Sequence, residues 1–147
     1  ETVTKHVDDA VADGATVLAG GRARPDLGPY FYEPTVLEGV TEAAACFAEE
    51  TFGPLVPLFR FGTDEEAIEI ANGTPFGLAS YFYTQDLKRS WRVGEALEFG
   101  MVGLNTGSIS MEVAPFGGVK QSGLGREGAQ AGIDEYLETK SFHISGL

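Results

Sequence analysis

The sequence predicts an α/β fold, a largely parallel sheet with flanking helices. Three observations predict it. Segments with a helical apolar period alternate with short apolar runs of strand length, the order that builds βαβ units. Glycines punctuate the junctions between these segments, where a helix or strand must stop. The chain of 147 residues is 43% hydrophobic, and a chain of this size buries about 68–70% of its unfolded surface, enough to cover both faces of a parallel sheet.

Val3, Val7, Ala10 and Val11 share one face of a helix over Glu1 to Asp13, with His6 on its polar side and Gly14 as the stop. Thr16 to Ala19 is a short strand closed by Gly20 and Gly21, and Arg22 to Pro29 is a loop. Tyr30 to Leu37 is extended, and Pro34, which donates no ladder hydrogen bond, predicts an edge or irregular strand. Thr41 to Phe47 predicts a helical turn and Leu55 to Phe61 an apolar strand. Thr63-Asp64-Glu65-Glu66 matches a capping box that opens a helix running to Asn72, before Gly73. Thr74 to Gly77 is a turn, and Leu78 to Thr84, rich in aromatics, a buried strand. A helix from Asp86 sets Leu87, Trp91 and Leu97 on one side and ends at Gly100, and Met101 to Leu104 is a further strand. Glu127 to Leu137 predicts a helix, and Thr139 to Ser145, which includes His143, an extended end. No repeat or low-complexity tract interrupts the chain.

The formal net charge of −12 argues against nucleic acid or an anionic membrane as partner. No apolar run approaches a membrane span and no signal peptide is visible, so no membrane association is expected. The single cysteine, Cys46, excludes an internal disulfide and fits a cytoplasmic location. Neither His6 nor His143 stands in a cluster of metal-ligand spacing, so no metal is expected. Cys46 has alanines before it and acids soon after it, a setting that disfavours a thiolate and points to a small packing residue.

The stretch from Val113 to Gly128 holds five glycines, at 117, 118, 123, 125 and 128, and one proline. No regular helix or strand tolerates that composition, so the loop is expected to need unusual backbone angles or close backbone approach. Gly123-Leu124-Gly125-Arg126-Glu127-Gly128 matches G-x-G-x-x-G. A dinucleotide fingerprint requires a preceding strand and a βαβ unit with an acid about 20 residues on. Pro115 to Ser122 does not read as a strand, so this reading is rejected. Lys120 and Arg126 read as charges that order the loop, and Glu127, Glu135 and Glu138 as a solvated face.

Two groups of residues carry a resemblance to a known family. Asn105, Pro115-Phe116-Gly117-Gly118 and Lys120-x-Ser122-Gly123-x-Gly125-Arg126-Glu127 resemble the C-terminal signature of the aldehyde dehydrogenase superfamily. Glu49-Glu50-Thr51-Phe52-Gly53-Pro54 resembles its other hallmark in this region. The resemblance runs over nearly all of the chain, and the segment from Gly107 to Gly128 is most similar to the succinate-semialdehyde dehydrogenase branch. It implies that residues 1–147 are the C-terminal part of the family's catalytic domain, an expectation that a first residue of Glu1 rather than methionine suits. The last strand, about 139–147, would lie in the oligomerisation region of a homodimer or homotetramer.

By themselves, the acid pair Glu49-Glu50 and Phe52 read as a solvated run beside a core aromatic. The resemblance implies instead that Glu50 binds the hydroxyls of the nicotinamide ribose and that Phe52 limits the position of the nicotinamide ring. In an extended segment the i, i+2 spacing would turn both to one side. Leu78 would help close the same pocket. Ser110 and Phe116 are implied on the substrate side, lining the aldehyde tunnel. A serine at 110 would donate to the carboxylate of a semialdehyde, with Ser108 the nearest competitor and a bond to its own loop backbone the plainer alternative.

The cofactor implied is NAD or NADP. No catalytic residue is assigned within this chain, because the family's nucleophilic cysteine and general base lie before the matching segment. The chain alone is therefore expected to be inactive toward its small-molecule aldehyde substrate. A non-catalytic interaction or oligomerisation module of the same fold is the alternative. Departures from the family pattern, Ala129-Gln130-Ala131 and Ser141-Phe142, concern the last helix and strand.

Overall fold

A computed structural model describes residues 1–146. The chain folds as two compact units, the first covering Glu1–Gly62 and the second beginning at Thr63.

In the first unit, helix α1 (Thr2–Ala12) packs on a three-stranded sheet of β1 (Thr16–Ala19), β2 (Thr35–Glu38) and β3 (Leu55–Leu58), with the short helix α2 (Ala45–Ala48) between β2 and β3. Val7, Ala10, Ala15, Leu37, Val40 and Ala44 form the core, and Val3, Tyr32, Cys46, Leu55 and Phe59 pack against it. Phe47 meets Phe59 edge-on, ring centres 5.3 Å apart.

The sheet is mixed, which corrects the largely parallel expectation: β2 and β3 run parallel, β1 and β2 antiparallel. The connections decide this. β2 reaches β3 through α2, as a parallel crossover must, whereas β1 returns to β2 through a loop without a helix.

Pro34 does not mark an edge. It directly precedes β2, which is the central strand, so no ladder hydrogen bond is lost. Within β2, Thr35 and Leu37 are buried, and the Thr35 hydroxyl is satisfied, donating to the Glu33 carbonyl and accepting from Gly21 N–H, both at 2.8 Å.

The second unit contains α3 (Asp64–Asn72), β4 (Phe76–Gly77), β5 (Ala79–Phe82), α4 (Leu87–Ala96), β6 (Met101–Leu104), β7 (Val119–Lys120) and a 3-10 turn over Ala131–Tyr136. The expected cap is present: the Thr63 hydroxyl accepts from Glu66 N–H, and Gly73 follows the last residue of α3. β5 and β6 are parallel neighbours joined through α4, and β4 pairs with β7 antiparallel. Two residues of the 115–122 stretch thus do form a strand, though no βαβ unit accompanies it.

Two asparagines close these connections. Asn72 donates to the Ala96 carbonyl and accepts from Glu98 N–H. Asn105, at φ 54°, holds both the N–H and the carbonyl of Thr84.

On α4, of the side formed by Leu87, Trp91 and Leu97, the first two face solvent, 73% and 65% exposed, Leu97 is half-buried, and Val93 is buried. Arg89, one turn before Val93, and Arg92 pair with Asp64 and Glu65 of α3. Of the stretch from Glu127 to Leu137 only Ala131–Tyr136 is helical, as a 3-10 turn, because Gly128 and Ala129 take φ of 66° and 48° and break helical geometry. Thr139 to Ser145 forms no strand within this chain. Phe142 and Ile144 alternate as a strand would require, but the segment finds no ladder partner among the described residues and both side chains are exposed.

Candidate functional site

The glycine loop is held by its own backbone and by one guanidinium. Phe116 and Glu127 exchange both backbone hydrogen bonds, at 2.8 and 2.7 Å, so the loop closes on itself like a short ladder rung. The Arg126 Nη1 donates to the carbonyls of Gly118 and Gly125, each at 2.7 Å. Such bonds from a charged donor contribute roughly 1.5–3 kcal/mol apiece. Gly117 and Gly118 are required by close approach. A Cβ at Gly117 would lie 2.7 Å from the Gly125 carbonyl oxygen, and one at Gly118 would lie 2.6 Å from the Ser122 side chain. The Ser122 hydroxyl accepts from Gly77 N–H at 2.9 Å, and the Lys120 ammonium donates to the carbonyls of Asn72 and Thr74 while pairing with Glu98. Lys120 and Arg126 therefore order the backbone around the loop.

The folded loop lines a cleft of about 580 Å³. Leu78 and Phe116 both lie on it, together with Leu124, Arg126 and Glu127. Leu78 stands between β4 and β5 rather than inside a buried strand, and is 42% exposed. The structure thus brings together two of the five candidate residues. Ser110 is exposed and lines neither this cleft nor a second cavity of about 310 Å³, whereas Ser108 lines the second. Thr106 holds Ser108 in place, its hydroxyl donating to the Ser108 carbonyl at 3.0 Å and accepting from Ser108 N–H at 3.1 Å.

Glu50 and Phe52 belong to the first unit, on the loop between α2 and β3. The loop is not extended throughout. Phe52 has φ 43°, which corrects the alternation argument: 50 and 52 do not share a side by strand geometry. A bulky residue in this region is strained and persists only where its surroundings fix it. The fixing groups come from α1. Asp9 accepts from Ala45 N–H at 2.7 Å, capping α2 where its own N-cap, Ala44, has no side-chain acceptor. Val3 packs so closely on Gly53 that no Cβ fits there.

His6 contributes most. Its Nε2 lies 3.2 Å from Glu49 Oε2 and its Nδ1 2.9 Å from Thr51 Oγ1. A carboxylate only accepts, so Nε2 carries the hydrogen, and in the neutral ring Nδ1 accepts from the Thr51 hydroxyl. The His6 ring N–H, and then the Lys5 ammonium 3.5 Å away, hold the Glu49 carboxyl below the usual carboxylate range.

His6 is fully buried, which overturns its expected place on a polar face. The signal was present in the spacing: 3, 6, 7 and 10 are i, i+3, i+4 and i+7, the buried stripe of α1.

Between the two pinned neighbours, Glu50 has no hydrogen-bond or ion-pair partner among the described residues, and the Phe52 ring is 92% exposed. An unpaired carboxylate beside an uncovered aromatic can accept from a vicinal diol and flank a flat ring. Cys46, half-buried under α1, is unsuited to nucleophilic chemistry: burial pushes its thiol up, with Asp9 adding to the effect. No group of three or more His, Cys, Asp and Glu among the described residues has the geometry to hold a metal ion. No helix among them is long and apolar enough to cross a membrane.

A model of the aldehyde dehydrogenase family matches residues 1–142. The chain is 58% identical over 147 residues to the mitochondrial succinate-semialdehyde dehydrogenase of Rattus norvegicus, covering 100% of this chain and 28% of the relative. It is 58% identical over 143 residues to the glutarate-semialdehyde dehydrogenase of Pseudomonas putida, covering 97% of this chain and 29% of the relative. Among solved structures, it is similar to the indole-3-acetaldehyde dehydrogenase of P. syringae in complex with NAD+ and IAA, with a TM-score of 0.89 at 40% identity, over 96% of this chain and 29% of that one. The chain thus spans under a third of the length of the relatives it matches. One of these relatives is named for the mitochondrion and another is bacterial, so they do not specify the cytoplasmic location expected from the single cysteine.

Proposed function

Because the chain belongs to the aldehyde dehydrogenase family, we propose that it forms the C-terminal part of an NAD(P)-dependent enzyme that oxidises a semialdehyde, succinate semialdehyde first, to the dicarboxylate. The observation that carries this reading is the loop Glu49 to Phe52. It presents an unpaired carboxylate and a 92%-exposed ring on a backbone pinned from both sides. These residues fit a nicotinamide ribose: Glu50 accepts from the two ribose hydroxyls, and Phe52 limits where the nicotinamide ring lies. The dinucleotide, when bound, supplies the hydride acceptor, and the protein supplies orientation. Leu78, in the second unit, is a further cofactor-side residue on the strength of the family resemblance alone. Phe116 and Ser110 line the aldehyde path, with Ser110 donating to the substrate's distal carboxylate. The similarity to two semialdehyde dehydrogenases supports the substrate class.

Two measurements test the reading. Nicotinamide reduction with succinate semialdehyde should be absent for the isolated chain and present for a full-length enzyme carrying this segment. Turnover by the isolated chain in the usual enzyme range of about 1–1,000 per second, lost on Cys46→Ser, would contradict it. An inert full-length enzyme would favour a non-catalytic module.

The exposed, alternating Phe142 and Ile144 support a role for residues 139–146 as a strand added to a sheet of another subunit. Deleting residues 139–147 from the full-length enzyme should shift its sedimentation from dimer or tetramer toward monomer. An unchanged oligomer would count against that role.

A further inference from the structure

We propose that His6 is a positioning residue for the dinucleotide site: from α1, its two ring nitrogens fix Glu49 and Thr51 on either side of Glu50 and so set how Glu50 and Phe52 are presented. This rests on the assignment of Glu50 to the ribose.

A loop that must meet a ligand with one unpaired carboxylate cannot use that carboxylate to hold itself. Glu50 is free because its neighbours carry the anchoring: Glu49 accepts from His6 Nε2 at 3.2 Å, and Thr51 meets His6 Nδ1 at 2.9 Å. A single ring bonded to residues i−1 and i+1 fixes the path of the backbone through residue i. The ring cannot drift, because His6 is fully buried between the Val3 and Val7 turns of α1. Val3 contacts Gly53 immediately after the strained Phe52, so α1 grips the loop at 49, 51 and 53 and leaves 50 and 52 outward. Lys5 and Asp9 are the other charged α1 side chains at this segment. Lys5 lies 3.5 Å from Glu49, and Asp9 is engaged by Ala45 N–H. Among the described residues, only His6 reaches both neighbours of Glu50. Pre-organisation of this kind lowers the ordering cost of binding, so its loss falls on cofactor affinity and not on the aldehyde.

The test uses a full-length enzyme carrying this segment, with His6→Ala, His6→Gln, Thr51→Val and Glu50→Ala variants. Two readouts are taken: hydrogen exchange of residues 49–54 without dinucleotide, and the Kd for NADH and for NADPH from the reduced nicotinamide's fluorescence. His6→Ala and Thr51→Val should speed exchange across 49–54 and raise the Kd of the preferred dinucleotide, Thr51→Val about three- to tenfold for one neutral hydrogen bond and His6→Ala more, since it also removes a bond to the Glu49 carboxylate. The KM for succinate semialdehyde should stay unchanged. His6→Gln, which keeps a donor toward Glu49, should recover part of the affinity. An unchanged Kd in both His6→Ala and Thr51→Val overturns the proposal, as does an equal rise in the aldehyde KM. Should His6→Ala fail to fold, the near-isosteric Thr51→Val decides alone. If Glu50→Ala raises the Kd while the other variants do not, only the positioning role falls. If Glu50→Ala leaves the Kd unchanged, the ribose assignment falls and the positioning role with it.

Discussion

Replacing Glu50 with alanine in a full-length enzyme carrying this segment should raise the Kd for the reduced dinucleotide on the order of 100-fold or more. Glu50 has no partner within the described residues, so nothing in the folded chain compensates its removal or depends on it. What is lost is the pair of hydrogen bonds to the ribose diol, each to a charged acceptor and each contributing roughly 1.5–3 kcal/mol. Since about 1.4 kcal/mol is tenfold, even the lower end of that range for two bonds exceeds 100-fold. Glu50→Gln keeps one acceptor oxygen and should fall between. Thermal stability should be unchanged, because the side chain packs against nothing that folding requires. Equal dinucleotide affinity in wild type and Glu50→Ala would remove Glu50 from the cofactor site.

Replacing Ser110 with alanine should lower kcat/KM for succinate semialdehyde about 10- to 150-fold, the loss of one hydrogen bond to a charged group. Butanal, of similar length and without a carboxylate, should be unaffected or improve. The contrast carries the argument, because a packing defect would harm both aldehydes alike. Ser110 is exposed and lines neither the cleft of about 580 Å³ nor the cavity of about 310 Å³, while Ser108 lines the latter. Ser108→Ala is therefore the necessary companion. A selective loss at Ser108 alone, or equal losses for the two aldehydes, would remove Ser110 from the substrate path.

The elements governed by local chemistry were legible in the sequence. Thr63 caps α3 and Gly73 follows it as read, because a cap and a helix stop are decided within a few residues. β1, β6 and the start of α4 at Asp86 followed from the same kind of signal. What failed depended on partners distant in sequence. Pro34 reads equally as an edge or an irregular strand until β3 is seen to pair on the far side of β2, which leaves the irregular strand. Leu87, Trp91 and Leu97 share a side by spacing, but which face is buried depends on α3, whose acidic start pairs with Arg89 and Arg92. The last strand has the alternation of a strand but no ladder within this chain, since a strand needs a neighbour that composition does not supply. At the candidate site, Glu50, Phe52, Leu78, Ser110 and Phe116 came from resemblance, and within the second unit Leu78 and Phe116 share one cleft. His6 is polar by type, but its spacing sets it on the buried stripe of α1 with Val7 and Ala10.

The most direct test of the account is the ratio of kcat/KM for succinate semialdehyde to that for butanal in an unmodified full-length enzyme carrying this segment. The account predicts a ratio of about ten or more, since recognition of the distal carboxylate contributes at least one hydrogen bond to a charged group. A ratio near one, or a preference for butanal, would contradict the assignment to a semialdehyde dehydrogenase.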